Sequence, residues 1–108
     1  MPKKAMESLT QAMFYVLMAL CTGERCGTDI AAWVEAHTGG RVPLGPATLY
    51  TILGKFGEEK YIEQTQVEGR RRTYRITARG RAAYSAELIR LRACVQDAES
   101  AEDTDDAR

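Results

Sequence analysis

A mainly α (α+β) fold is predicted for this 108-residue chain by three observations. Apolar residues recur at helical spacing in three separate stretches, two strand-rich runs flank Glu68-Gly69-Arg70-Arg71, and a last apolar stripe steps by four and three residues. The order is three short helices, a hairpin and one long helix. The length supports a single compact core, and 44% hydrophobic with 28% charged residues is the balance of a globular chain.

The first helix follows Ser8, which stands three residues before Gln11 as in a capping box, and carries Leu9, Met13, Phe14, Val16, Leu17, Met18 and Leu20. A second helix is expected from Thr28 to His37, where Ile30, Trp33, Val34 and His37 share one side and Gly39-Gly40 supplies the stop. The third opens at Gly45, a possible N-cap, with Pro46 in the first turn, where its missing N–H costs nothing. Leu49, Ile52, Leu53 and Phe56 then lie together, which turns Ala47, Tyr50, Thr51, Gly54, Lys55 and Glu58 to the other side of the cylinder. That outward face is small and uncharged at its N-terminal end.

Residues Tyr61 to Val67 and Arg72 to Ile76 form the hairpin, with Gly69, Arg70 and Arg71 at its tip. Alternation puts Arg72, Tyr74 and Ile76 on one face and Arg71, Thr73 and Arg75 on the other. Thr77 caps the last helix, whose stripe of Tyr84, Leu88, Leu91, Val95 and Ala98 has the spacing of a coiled-coil seam and needs a partner surface. The chain therefore divides into residues 1–76, a helix over 77–97 and an acidic tail over 98–108, which is expected to fray because its apolar residues are no larger than alanine.

Charge is strongly segregated although 15 Lys/Arg balance 15 Asp/Glu. Residues 1–92 hold 14 basic against 9 acidic side chains, a net of +5, and the last 16 residues reverse this to −5. Eight arginines fall within residues 70–92, opposed by Glu87 alone, a density that suits a polyanionic partner. Cys21, Cys26 and Cys94 have no paired spacing, so neither a disulfide framework nor a zinc site is expected. His37, the single histidine, has no neighbour at ligand spacing, and no metal or cofactor is expected. The run from Ala12 to Cys21 is about half of a membrane span, and no signal peptide precedes it, so a cytoplasmic location is expected. No nucleophile and base pair, phosphate-cradling glycine loop or metal cluster points to an enzyme.

The order of elements is that of a winged helix-turn-helix with a long C-terminal dimerisation helix. In that architecture the third helix enters the major groove of DNA, which admits an α-helix, and the second crosses the backbone. Ala47, Thr48, Tyr50 and Thr51 suit close approach to bases, and Lys55 suits a backbone phosphate. Gly69, Arg70, Arg71 and Arg72 in the wing, with Lys3 and Lys4 ahead of the first helix, supply cations that release counterions from the duplex. Their role is to position more than to read sequence.

The stretch Leu44-Gly45-Pro46-Ala47-Thr48-Leu49-Tyr50-Thr51-Ile52-Leu53, then Tyr61-Ile62, then Gly69-Arg70-Arg71-Arg72-Thr73-Tyr74-Arg75-Ile76-Thr77-Ala78-Arg79-Gly80, resembles the PadR family of bacterial regulators. The likeness spans roughly residues 8–95 and is nearest to the short members with a single C-terminal helix. It implies a dimeric repressor on a palindromic operator of double-stranded DNA, released by a small hydrophobic effector or another signal. It implies also that the last helix packs on the partner, including the partner's first helix, which places Leu9, Met13, Tyr84, Leu88, Leu91 and Val95 at the dimer contact. Two positions depart from the family pattern, since glycine is usual where Ala47 and Lys60 stand. A left-handed backbone at Lys60 costs about 1 kcal/mol relative to glycine. Gly54 and Gly57 inside the third helix weaken it by up to about 1 kcal/mol each relative to alanine.

Some residues carry two readings. Trp33 fits the core or an interface as well as an aromatic effector, and Met13 and Met18 fit either a core or an adaptable surface. Tyr50 faces DNA or closes the core edge, and Arg72 meets phosphate or lies half-buried beside Tyr74. The whole domain also fits a winged-helix module that binds another protein without reading DNA.

Overall fold

The computed structural model describes residues 9–106, with α1 (Gln11–Cys21), β1 (Arg25–Cys26), α2 (Gly27–Thr38), α3 (Pro46–Glu58), β2 (Ile62–Glu68), β3 (Arg71–Ile76) and α4 (Ala78–Asp106). The three strands form one antiparallel sheet in the order β1-β3-β2. This is the winged helix-turn-helix predicted from the sequence, extended by one short strand that was not.

Thr10, not Ser8, caps α1: its Oγ1 accepts the Met13 N–H at 3.2 Å. Ser8 lies outside the described residues. Val16, Leu17 and Leu20 of α1 meet Ile30 and Val34 of α2, Leu49, Ile52, Leu53 and Phe56 of α3, and Ile62 and Ile76 of the sheet in one core. Met13 and Phe14 are buried too, and Phe14 stacks on Tyr84 of α4 with ring centroids 4.9 Å apart. Trp33 is half-buried against the core and stacks on His37 at 3.7 Å.

β1 escaped the sequence reading because two residues are too few to show alternation; their partners define them. Arg25 pairs with Tyr74 and Cys26 with Thr73, so the hairpin is anchored to the start of α2. In the hairpin, Glu68 faces Arg71 across a turn whose Gly69 has φ 59°, and the register slips between Gln64 and Gln66. The unpaired Thr65 between them donates from its hydroxyl to Glu24 at 2.7 Å.

α3 begins as expected, with Gly45 at the N-cap and Pro46 at the first position. It ends in a Schellman motif: the Tyr61 N–H donates to the Phe56 carbonyl at 2.9 Å and the Lys60 N–H to that of Gly57 at 3.2 Å. Lys60 takes the left-handed conformation, φ 64°. The next residues lock this end to the start of α4. Thr77 donates from its hydroxyl to the Lys60 carbonyl at 2.6 Å and from its N–H to that of Tyr61 at 2.9 Å, and the Arg79 Nε–H donates to the Glu59 carbonyl at 2.8 Å.

Thr77 caps α4 as expected, its Oγ1 accepting the Gly80 N–H at 3.1 Å. The expected boundary at residue 97 is corrected, because the helix continues to Asp106. Ala98, Glu99, Ala101 and Glu102 are good helix formers and no glycine or proline interrupts them, so the loss of large apolar side chains ends the seam without ending the helix. At 29 residues α4 is roughly 43 Å long.

Candidate nucleic-acid interface

The outward side of α3 is laid out by its own periodicity. Leu49, Ile52, Leu53 and Phe56 are buried, whereas Ala47, Thr48, Tyr50, Thr51, Gly54 and Lys55 are exposed. Thr51 spends its hydroxyl proton on the Ala47 carbonyl one turn back, at 2.9 Å, which leaves the oxygen's lone pairs outward. Tyr50 is 58% exposed, so it belongs to the outward face, yet its ring leans on α2: the hydroxyl is 3.3 Å from where a Cβ on Gly27 would be. Gly54 and Gly57 meet nothing within 4 Å at their missing Cβ positions and leave a hollow open between α3 and the wing.

The wing stands beside this face. Gly69, Arg70, Arg71 and Arg72 are all exposed, which decides against a half-buried Arg72. Tyr74 is half-buried, and burial pushes its phenol up against the opposing pull of Arg72. A cavity of about 630 Å³ opens between Tyr50 of α3, Arg70, Arg71, Arg72 and Tyr74 of the wing, and Cys26, Gly27 and Thr28 at the start of α2.

The cations are not equivalent. Arg75 pairs with Glu63 across the hairpin, and Arg79 reaches the Glu59 carboxylate at 3.9 Å. The Arg71 guanidinium lies 3.7 Å from the Asp29 carboxylate. Among the described residues no ion pair engages Arg70, Arg72 or Lys55. Lys3 and Lys4 lie outside the described residues.

The first turn of α2 is the part that sequence reasoning missed. Burial pushes the Cys26 thiol up, but hydrogen bonds from the Thr28 hydroxyl, the Asp29 backbone and the Arg71 side chain outweigh it and hold the thiol below its ordinary value. The one sequence signal was Gly27-Thr28-Asp29 at a helix start, which says nothing of the wing residue that folds onto it.

The expected dimer contacts divide. Met13 is buried in the core of its own protomer, while the Leu9 N–H bonded to Glu87 and Tyr84 stacked on Phe14 serve the packing of α4 on α1. Leu88 and Leu91 are half-exposed, and Val95 is 57% exposed. Ile89, absent from the expected set because it lies off the seam, is 66% exposed.

Residues 16–86, spanning the helices, the wing and the start of α4, match the profile of the family described as Transcriptional regulator PadR-like family. The chain belongs to the PadR-like family. It is a transcriptional regulator, not an enzyme. No curated protein matches its sequence. Among solved structures, a transcriptional regulator from Clostridium thermocellum, Cth-833, superimposes with a TM-score of 0.73 at 23% identity, over 82% of this chain and 89% of that one. A PadR-like transcription factor from Bacteroides fragilis gives 0.71 at 15% identity, over 82% and 87%. Bacillus subtilis PadR in complex with operator DNA gives 0.66 at 23% identity, over 74% of this chain and 49% of that one. At these identities the likeness is one of fold. The match spans about half of the B. subtilis protein.

Proposed function

We propose that this PadR-like regulator binds double-stranded DNA sequence-specifically as a homodimer and acts as a repressor at a palindromic operator. The observation that carries the reading is the slim, nearly neutral face of α3, with Thr48, Tyr50 and Thr51 exposed, flanked by the wing cations Arg70 and Arg72, which no ion pair engages among the described residues. The uncharged N-terminal end of that face fits between base edges, and the cations beside it meet phosphate. The B. subtilis relative in complex with operator DNA supports the same use of the fold.

Dimerisation through the exposed residues of α4 sets two copies of α3 about one DNA turn, roughly 34 Å, apart. Release by a small hydrophobic effector follows from the family likeness, and the place of action is the bacterial cytoplasm, on the nucleoid when DNA is bound. No helix among the described residues is long and apolar enough to cross a membrane.

The test is fluorescence anisotropy with genomic fragments retained by the purified protein, titrated at several salt concentrations. A palindromic site bound with a steep negative salt slope is the expected result. Indifference to every duplex at low ionic strength overturns the proposal and leaves the protein-binding module in its place.

A further inference from the structure

Alternation along β3 gives the wing two chemically different faces. Arg72 and Tyr74 line the hollow that opens onto α3 with Gly54 and Gly57. Arg71 and Thr73 line a separate hollow on the opposite face of the ribbon, with Gln66 and Glu68. Arg71 also borders the cavity beside Tyr50, with Arg70, Arg72 and Tyr74, so what sets it apart from its neighbours is the acid it meets. The β1–β3 pairing of Arg25 with Tyr74 and Cys26 with Thr73 ends where α2 begins at Gly27, and Arg71, two residues before Thr73, lies beside the first turn of that helix. Its guanidinium reaches Asp29 of that turn at 3.7 Å, beside the Cys26 thiol that it helps to hold below its ordinary value.

We infer that Arg71 is a positioning residue, a strut that ties the wing to the first turn of α2 through Asp29 and Cys26, while Arg70 and Arg72 meet the phosphates. The inference rests on the DNA-binding reading above. The base of the ribbon is held by Ile62 and Ile76 in the core, by the two residue pairs with β1 and by the Thr65–Glu24 hydrogen bond, and Arg71 adds a tie nearer the tip. The tie matters because α3 and the wing must engage one duplex together. An exposed ion pair adds little to stability, but here it fixes the distance between two DNA-contacting parts. Tyr50 leans on the same turn from the other side, at Gly27, so α2's start takes its bearings from α3 and the wing at once.

Charge alone and the strut predict opposite signs for Asp29. Deleting an acid beside a polyanion should tighten binding; deleting the strut's acceptor should weaken it. Anisotropy titrations of Arg70→Ala, Arg72→Ala, Arg71→Ala, Asp29→Asn and the Arg71→Ala/Asp29→Asn pair, on a duplex the wild type retains, separate the two. Arg70→Ala and Arg72→Ala should each flatten the slope of log affinity against log salt by about 0.9. Arg71→Ala should weaken binding about tenfold with the slope intact, Asp29→Asn should weaken it comparably, and the double variant should be no weaker than either single one. Exchanging the charges, Asp29→Arg with Arg71→Asp, should recover most of the affinity. A slope that falls for Arg71→Ala as it does for Arg70→Ala, or tighter binding by Asp29→Asn, overturns the inference. Without DNA, the Arg71 Nε–Hε resonance should shift in Asp29→Asn. An unmoved resonance refutes the strut even if DNA binds, whereas a moved one with no duplex retained refutes the DNA reading and the strut's role in it.

Discussion

The carbonyl oxygen of Tyr61 stands 2.2 Å from the place a Cβ on Gly80 would occupy. Tyr61 leads into the wing and Gly80 lies in the first turn of α4, so the long helix is pressed onto the exit of α3 at a point where no side chain fits. The Thr77 and Arg79 hydrogen bonds to Glu59, Lys60 and Tyr61 surround this contact.

Gly80→Ala is therefore expected to destabilise the fold by about 2–3 kcal/mol, the cost of overpacking against backbone that cannot move aside. Urea unfolding followed by circular dichroism measures it. Gly57→Ala, placed in a helix with open space at its Cβ, should stabilise by up to about 1 kcal/mol. Equal effects of the two substitutions would contradict the packing described.

Lys60 carries a Cβ in a left-handed backbone, and Lys60→Gly should stabilise the domain by about 1 kcal/mol. A raised urea midpoint with an unchanged slope is the expected signature. A lowered midpoint would mean that the lysine side chain contributes more than its conformation costs.

Glu87 is buried, paired with Arg90 on α4, and accepts the N–H of Leu9 just ahead of α1. The Arg90 hydrogen bond, against the opposing effect of burial, holds its carboxyl below the ordinary value. The charged form's contribution is then complete above the pKa of an unfolded glutamate, about 4.3, and disappears as pH falls through the lowered folded value. Glu87→Gln should cost about 1 kcal/mol or more at pH 7. It should also flatten the loss of stability between pH 5 and the acid limit; parallel pH profiles for the two proteins would refute the pairing.

Leu88→Glu or Leu91→Glu should give monomers in analytical ultracentrifugation, because either places a charge on the half-exposed seam of α4. Ile89→Glu, farther round the helix, tests how wide the contact is. Sedimentation of the first two variants as intact dimers would move the interface elsewhere.

Most of the scaffold was legible in the letters. The i, i+3, i+4, i+7 set of Leu49, Ile52, Leu53 and Phe56 fixes both the buried side of α3 and the exposed side that Thr48, Tyr50 and Thr51 share. Gly45-Pro46, Gly39 and Thr77 mark boundaries because caps and turns are local chemistry, decided within a few residues. Composition misled at the end of α4, where the loss of apolar side chains marks the end of a packing surface and not of a helix.

What the chain's order could not decide is which side chains find each other across the fold. Arg70, Arg71 and Arg72 are three identical letters in a row, yet strand alternation and the register against β1 send only Arg71 to Asp29, 42 positions earlier in the sequence. β1 itself exists only because β3 lies beside it. Periodicity is written in the spacing of neighbours and can be read one residue after another, whereas a guanidinium's partner is set by backbone brought together from distant segments, and that is settled only when the chain has folded.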